Sequence, residues 1–516
     1  MDPIRLSVFH ELFTALAEEM GEVLRGTAPS VNIRERRDYS CALFDPEGRL
    51  VSQAAHIPVH LGSAGLSVEA VRSRPLREGD AWLLNDPYAG GTHLPDLTLV
   101  SPVYLEDEPW FLVNRAHHSD IGGSRPGSMA PAADLPAEGL RIPPLPLIRD
   151  GEWQEGLLQM ILANTRTPDL RLGDLWAQVE ANRLGERRLR DLWREQGPAA
   201  CREAVDALLD YSARLLAASL DGLRPGRHRA EAFLEGDGVE EGDLRLALEL
   251  RIGSAGKRLT FDFCGTGDQG PGCLNANPAI THAAVLYCLR CLAPGDLPTN
   301  GGLLRDVEIL TREGSLCAPR FPAAVAGGNV ETSQRLVDLC FDALGAAGAS
   351  VPAESSGTMN NVSLGGFDHA RGEAFAIYET MGGGAGAMGA VPGASGVQTH
   401  MTNTRNTPIE DLELSYPLVV ESYTIQRGSG GKAGEDGARG GDGIQKRLRS
   451  TERLQVSILS ERRRIAPKGR SGGGAGRVGS QRVGRTKVGS KASFELEPGQ
   501  TLEVRTPGGG GCGASS

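Results

Sequence analysis

The sequence lacks long apolar runs, and no stretch approaches the roughly 20 apolar residues that a membrane-spanning helix needs. Its amino-terminal apolar positions are interrupted by Glu11, Glu18, Glu19 and Glu22, which argues against a secretory signal peptide. We therefore expect a cytoplasmic protein with no membrane partner.

Positive charge is also scarce. The 54 Lys and Arg residues face 65 Asp and Glu residues, which gives a formal net charge of −11. This balance argues against nucleic acid or an anionic membrane as the main partner. The short basic run 462–464 predicts a solvated face of an acidic protein.

Walker A and kinase signatures are missing as well. The glycine loop 265–270 lacks the GxxxxGK[ST] pattern of a phosphate-binding loop, and it predicts a tight turn after a strand. ATP is therefore not expected to bind this chain by itself. Cys288 and Cys291 form the only tight pair among nine cysteines, with no second pair at zinc-finger spacing, so we expect reduced thiols.

Glycine, by contrast, is abundant, with 69 residues in a chain of 516. This usage indicates many places where backbone approaches backbone or a ligand. Helical periodicity dominates up to Arg224-Pro225-Gly226, and alternating strand patterns follow. The pattern predicts a mixed, multi-layer α+β architecture: an N-terminal α+β region (1–225), which holds the candidate metal site considered below, and a glycine-rich, β-rich region (226–516). The glycine-rich segments of the second region are expected either to complete a cavity or to form a partner interface.

Three of the ten histidines lie within residues 85–129. Two strands, 97–104 and 110–115, are predicted to form a hairpin there. His93 and Asp96 precede the first strand, and the second strand returns beside its start. The hairpin would therefore bring the histidines that follow the second strand back towards His93.

Imidazole and carboxylate groups together suit zinc, manganese or iron. The alternative is that these are turn residues that cap strands. Asp38, which opens an earlier predicted hairpin, is either a further ligand or a partner of Arg36 or Arg37. His60 is either a proton carrier near the site or a structural histidine.

Several motifs in this order resemble the hydantoinase B/oxoprolinase family, and the similarity covers nearly the whole chain. The motifs are ERRDYSCALFD, HIPVHLGS, NDPYAGGTHLPDLTLVSPV, NRAHHSDIGGSRPGSM, FDFCGTGDQGPGCLNANPA, LPTNGGLLRDVEI, FPAAVAGGNVETSQRLVD, YETMGGGAGA, NTPIEDLELSYPL and TPGGGGCG. The resemblance implies a metal held by Asp38, His93, Asp96 and His118. Spacing alone does not choose between His117 and His118.

Two further residues of this segment are candidates for catalysis, His117 and Asp120. Asp120 is interpreted in three ways: it orients a ligand histidine, takes a proton from metal-activated water, or only caps the turn that follows. One departure from the family pattern stands at Arg427-Gly428, where relatives usually carry an aspartate before Ser-Gly-Gly. The role of that aspartate therefore does not carry over to a matching residue of this sequence.

By this resemblance, the chain is the metal-dependent B subunit of an ATP-coupled cyclic amidase of the hydantoinase, 5-oxoprolinase or lactamase type. A separate A subunit is expected to bind ATP and magnesium and to phosphorylate the ring amide, which this chain hydrolyses in a hetero-oligomer. The alternatives are a subunit of an ATP-dependent ketone carboxylase, of the acetone or acetophenone type, and a non-catalytic scaffold for the ATP-binding subunit.

Overall fold

The computed structural model describes residues 1–54, 56–60, 62–253, 258–295 and 297–514. Helices and several antiparallel sheets share these residues, so the predicted α+β class is confirmed. Within the described ranges, no helix is long and apolar enough to cross a membrane. All nine cysteines are free thiols.

The N-terminal half is built on a seven-stranded sheet in which every neighbouring pair is antiparallel, with the spatial order β2-β1-β5-β4-β3-β6-β7. Its strands are β1 (Tyr39–Phe44), β2 (Leu50–Gln53), β3 (Ala81–Leu84), β4 (Asp96–Leu105), β5 (Glu108–His117), β6 (Leu145–Arg149) and β7 (Glu152–Trp153). The two predicted hairpins are confirmed as β1–β2 and β4–β5.

Helices cover both faces of this sheet. They are α1 (Pro3–Thr27), α2 (Val31–Arg34), α3 (Ala64–Arg72), α4 (Leu135–Glu138), α5 (Glu155–Ala163), α6 (Pro168–Gln196) and α7 (Pro198–Ser219). Asp2 caps α1 by accepting hydrogen bonds from the amides of Ile4 and Arg5. Strand alternation sends Leu112 into the core formed with α1 and α6, and Val113 into the core beneath α3. The central strands are therefore buried on both sides.

A second sheet follows α7, in the order β11-β10-β9-β8, where β10 and β11 are parallel and the other pairs antiparallel. Its elements are β8 (Gly226–Glu235), β9 (Asp243–Ile252), β10 (Leu259–Asp262) and β11 (Val307–Leu310), with helices α8 (Pro278–Leu292) and α9 (Ser333–Ala346). A π-helical turn, Gly328–Thr332, leads into α9. The division predicted at residue 225 falls between α7 and β8 and stays a prediction.

Two further sheets complete the chain, in the orders β13-β12-β16-β19 and β14-β15-β20-β17-β18. Their elements are β12 (Asn361–Asp368), β13 (Glu373–Glu379), α10 (Ile409–Ser415), β14 (Leu418–Gln426), β15 (Gly443–Ser450), β16 (Leu454–Leu459), β17 (Ser480–Val483), β18 (Thr486–Lys487), β19 (Lys491–Leu496) and β20 (Thr501–Arg505).

Glycine-rich segments outside these strands pack backbone against backbone, and we call them the glycine bundle (382–396, 428–442, 469–479 and 506–513). The amide of Gly441 donates to Ala385 O at 2.8 Å, and that of Gly509 donates to Gly441 O at 2.9 Å. A Cβ atom on Gly509 would overlap the carbonyl of Ala385. The bundle therefore depends on the absence of side chains.

The prediction of a solvated face at residues 462–464 is wrong for its first member. Arg462 is fully buried, and its guanidinium pairs with Asp338 and Glu354, each at 2.8 Å. A buried charge of this kind needs such partners because desolvation is costly. Charge density along the sequence did not reveal acidic residues contributed by distant segments.

Candidate metal centre

The β4–β5 hairpin positions the candidate site. Its register pairs Asp96, the first residue of β4, with His117, the last residue of β5. His93 lies in the turn just before β4, three residues from Asp96. The amide of His117 also donates to the carbonyl of Asp38 at 3.0 Å, which brings the start of β1 against the end of β5.

Three side chains converge at this point: His93, Asp96 and His117 each offer one ligand atom, all within 4.8 Å of one another. Nδ1 of His93 lies 3.0 Å from Asp96 Oδ2, and Nδ1 of His117 lies 3.3 Å from Asp96 Oδ1. The three side chains are at most 3% exposed. Two imidazoles and one carboxylate form a donor set suited to zinc, manganese or iron.

Unsatisfied polar atoms support this assignment. In the described part of the chain, both ring nitrogens of His93, Nε2 of His117 and Oδ1 of Asp96 have no hydrogen-bond partner. Nδ1 of His93 and Nδ1 of His117 therefore lie close to the Asp96 carboxylate without the alignment of a hydrogen bond. Buried polar atoms are nearly always paired, so four such atoms in one place require an explanation. A cation held between them would satisfy them together.

The charge states also fit a cation. Burial by itself would raise the pKa of Asp96, but His93, His60 and His117 around it hold that pKa well below its usual range. Burial lowers the pKa of His117 against the opposing effect of Asp96. The site therefore combines an ionised carboxylate with a neutral imidazole, the states in which these groups bind metals.

Two more residues contact the cluster through Asp96. The hydroxyl of Thr92 donates to Asp96 Oδ2 at 2.8 Å, and His60 Nε2 lies 3.2 Å from the same oxygen. On its other side, Nδ1 of His60 lies 3.0 Å from Ser40 Oγ. Because the ionised carboxylate only accepts hydrogen bonds, Nε2 of His60 carries the proton.

The carboxylate of Asp38 lies outside the three-residue cluster in the described structure. It is 6% exposed, and its Oδ2 is 3.9 Å from Nη1 of Arg36. Its charge nevertheless acts on His117 and favours the protonated ring. Asp38 is thus a neighbour of the cluster, and its assignment as a metal ligand stays a prediction.

His118, the ligand implied by the family resemblance, points elsewhere. Its Nε2 lies 3.0 Å from Gln178 Oε1 on α6, and burial together with nearby Arg171 lowers its pKa well below the usual range. Consecutive residues of an extended strand face opposite sides. Among the described residues, the histidine that joins His93 and Asp96 is therefore His117, for which we expected a catalytic role.

Asp120 binds Arg166 through both oxygens. Oδ1 accepts from Nη1 at 2.7 Å, and Oδ2 accepts from the Arg166 amide at 2.8 Å. Arg166 also donates to the carbonyl of Gly123 at 2.9 Å, so the pair holds the turn after β5. The structure places Asp120 in an ion pair that orders this turn, and its catalytic role stays a prediction.

Tyr378 is a neighbour that sequence reasoning did not find. Its ring stacks on His117 with centroids 4.7 Å apart and an interplanar angle of 20°. Arg36 holds Tyr378 by donating to its carbonyl at 2.7 Å. Tyr378 lies on β13, far along the sequence from His117. In the sequence it stood out only as the first residue of the YETMGGGAGA motif.

Known proteins resemble the chain over its whole length. A model of the family described as Hydantoinase B/oxoprolinase matches residues 2–515. The chain is 38% identical to a 5-oxoprolinase of Dictyostelium discoideum, over 99% of this chain and 40% of that protein. It is also 38% identical to an uncharacterised protein of Methanocaldococcus jannaschii, over 100% of this chain and 91% of that one.

A solved structure shows the same similarity. An ATP-dependent caprolactamase from Pseudomonas jessenii superposes with a TM-score of 0.90 at 28% identity, covering 100% of this chain and 91% of that one. The chain spans only about two fifths of the curated 5-oxoprolinases that it matches. Some relatives are thus about as long as this chain, whereas in the 5-oxoprolinases the matching region is one part of a longer chain.

Proposed function

The chain belongs to the hydantoinase B/oxoprolinase family, and from that premise we propose that it is the metal-dependent subunit of an ATP-coupled cyclic amidase. The observation that carries this proposal is the buried set of unpaired ligand atoms on His93, Asp96 and His117. The caprolactamase similarity supports a lactam-type ring as substrate class.

We assign the metal to His93, Asp96 and His117, which would hold it, with Asp38 as a buried neighbour. A divalent ion held there would supply Lewis acidity, the property by which metals activate water at neutral pH. Thr92 and His60 orient the Asp96 carboxylate by hydrogen bonds to Oδ2. Burial of the cluster keeps bulk water away from the reacting groups.

A ring amide is a poor electrophile, which explains the need for ATP. In the proposed reaction, a partner A subunit transfers the γ-phosphoryl group of ATP to the amide oxygen. One water then adds to the carbonyl carbon in this chain, and the C–N bond breaks as the ring nitrogen takes up a proton, which leaves an acyl phosphate. A second water cleaves the acyl phosphate and releases inorganic phosphate and the ring-opened acid. The lack of a Walker A or kinase signature in this sequence supports the assignment of ATP to the partner.

The test is reconstitution with a candidate A subunit. We expect hydantoin, 5-oxoproline or caprolactam to be opened with stoichiometric ADP formation only when both subunits and ATP are present. His117→Ala should abolish ring opening in the complex. Ring opening by the isolated chain without nucleotide would contradict the proposal, as would a complex that carboxylates a ketone and opens none of the rings.

A further inference from the structure

The ring of His117 is held on one face by an aromatic ring from the other half of the chain. Tyr378 stacks on it, as described above, and is itself only 2% exposed. The guanidinium carbon of Arg36 lies 4.9 Å from the centre of the same tyrosine ring. The orientation of Tyr378 therefore bears directly on the plane of the His117 imidazole.

The phenol of Tyr378 begins a chain of short hydrogen bonds. Its hydroxyl donates to Asn361 Oδ1 at 2.6 Å. Asn361 Nδ2 then donates to Glu331 Oε1 at 2.6 Å and to the carbonyl of Leu459 at 2.8 Å. Glu331 Oε1 also accepts from the amide of Met359 at 3.0 Å.

The direction of this chain follows from its donors and acceptors. Both hydrogens of the Asn361 amide go to oxygen atoms, so its own oxygen must face Tyr378 and can only accept. Burial raises the pKa of Tyr378 well above its usual value, so the phenol keeps the proton that it donates. An amide passes no proton along such a path. The chain therefore orients groups and does not conduct protons.

The hydrogen-bond chain from Tyr378 to Glu331 is buried, so its donors and acceptors have little freedom to move. Glu331 is fully buried, and Asn361 is 1% exposed. Hydrogen bonds in such surroundings are stronger than in water, and breaking one leaves an unsatisfied group. The π-helical turn that carries Glu331 lies immediately before α9, which fixes its position.

We propose that Glu331, Asn361 and Tyr378 form a positioning chain that sets the plane of the His117 ring. This inference rests on the proposed function only in treating His117 as a metal ligand. Groups that orient a ligand typically alter metal affinity by about 10–100-fold when lost. None of the three residues is proposed to touch substrate.

The protein supplies matched controls. Glu138 is also a fully buried glutamate whose Oε1 accepts two amides, from Val325 and Ala326, and whose pKa is likewise raised to about 8 by burial. Tyr287 also contacts a histidine ring, with its hydroxyl 3.5 Å from His400 Nδ1. Neither control residue belongs to the chain that ends at His117.

The experiment titrates Zn²⁺ into metal-free full-length protein at neutral pH. Tyr378→Phe and Glu331→Gln should weaken Zn²⁺ binding by about 10–100-fold, while Tyr287→Phe and Glu138→Gln bind as the wild type does. Thermal unfolding of each variant checks the fold. Tyr378→Phe removes a single oxygen and is the milder change. If Glu331→Gln does not fold, the Zn²⁺ affinity of Tyr378→Phe alone tests the positioning chain.

A second readout follows His117 directly in metal-free protein labelled with ¹⁵N-histidine. Its ring signals should shift in Tyr378→Phe and stay in place in Tyr287→Phe. Unchanged signals with unchanged Zn²⁺ affinity would overturn the positioning chain, as would equal losses in the controls. If the wild type binds no Zn²⁺ but the His117 signals still shift in Tyr378→Phe, the metal-dependent function is overturned and the positioning chain is supported.

Discussion

The candidate metal centre and the glycine bundle are held together in opposite ways, one by side chains and the other by backbone. The metal centre is built from side chains that converge from separate elements, and the backbone only delivers them. In the bundle, the amides and carbonyls of Gly441, Gly509 and their neighbours form the contacts, and any side chain is an obstacle. A substitution in the first should therefore spare the fold and remove function, whereas one in the second should remove the fold.

The largest expected effect comes from adding one methyl group to the bundle. In Gly509→Ala the new Cβ would overlap the backbone of Ala385, so the free energy of unfolding should fall by about 3 kcal/mol or more. The control is Gly489→Ala, where the nearest atom to a Cβ is Lys491 O at 3.6 Å. Urea unfolding measures both. Equal midpoints would show that the bundle accommodates side chains.

A smaller effect is expected from a buried acid outside both regions. Burial raises the pKa of Glu138 to about 8 in the folded protein, above its ordinary value of 4.5. The folded state therefore holds a proton that the unfolded state releases, and stability falls as pH rises from about 4.5 to about 8.

Glu138→Gln removes this titration and should gain stability relative to the wild type as pH rises across that window. The gain at pH 8 should reach about 1 kcal/mol or more, since each pKa unit corresponds to about 1.4 kcal/mol. Urea unfolding at pH 5 and pH 8 measures it. A constant difference between the two proteins would show that Glu138 is ionised throughout.

The smallest effect should follow from Asp120→Asn. Asp120 is fully buried, but Asn keeps one oxygen that can accept from the Arg166 amide, and the guanidinium left behind is 29% exposed, so the loss of stability should be about 1 kcal/mol. Metal content should remain that of the wild type, because both carboxylate oxygens face Arg166. A loss of metal in this variant would instead connect Asp120 to a ligand histidine.

Local patterns predicted the elements that carry the site, and long-range pairing decided its details. The β4–β5 hairpin follows from residues close in sequence. The choice between His117 and His118 depends on the register that places Asp96 opposite His117, and one residue of shift exchanges the two rings. Tyr378 reaches the site only through the packing of β13, for which the sequence has no short-range signal.

The glycine bundle shows the same limit. Its composition was evident, and it correctly indicated close backbone approaches. The pairing of residue 441 with residue 385, and of residue 509 with residue 441, joins segments that are remote in sequence. Composition does not specify such partners, because glycine carries no side chain that could select one neighbour over another.

The metal content of two neighbouring histidine variants tests the central claim most directly. Protein purified without chelators should contain about one divalent transition metal per chain by elemental analysis. His117→Ala should lose most of it while remaining folded, and His118→Ala, whose ring faces Gln178, should retain most of it. Metal retained in His117→Ala and lost in His118→Ala would contradict the account.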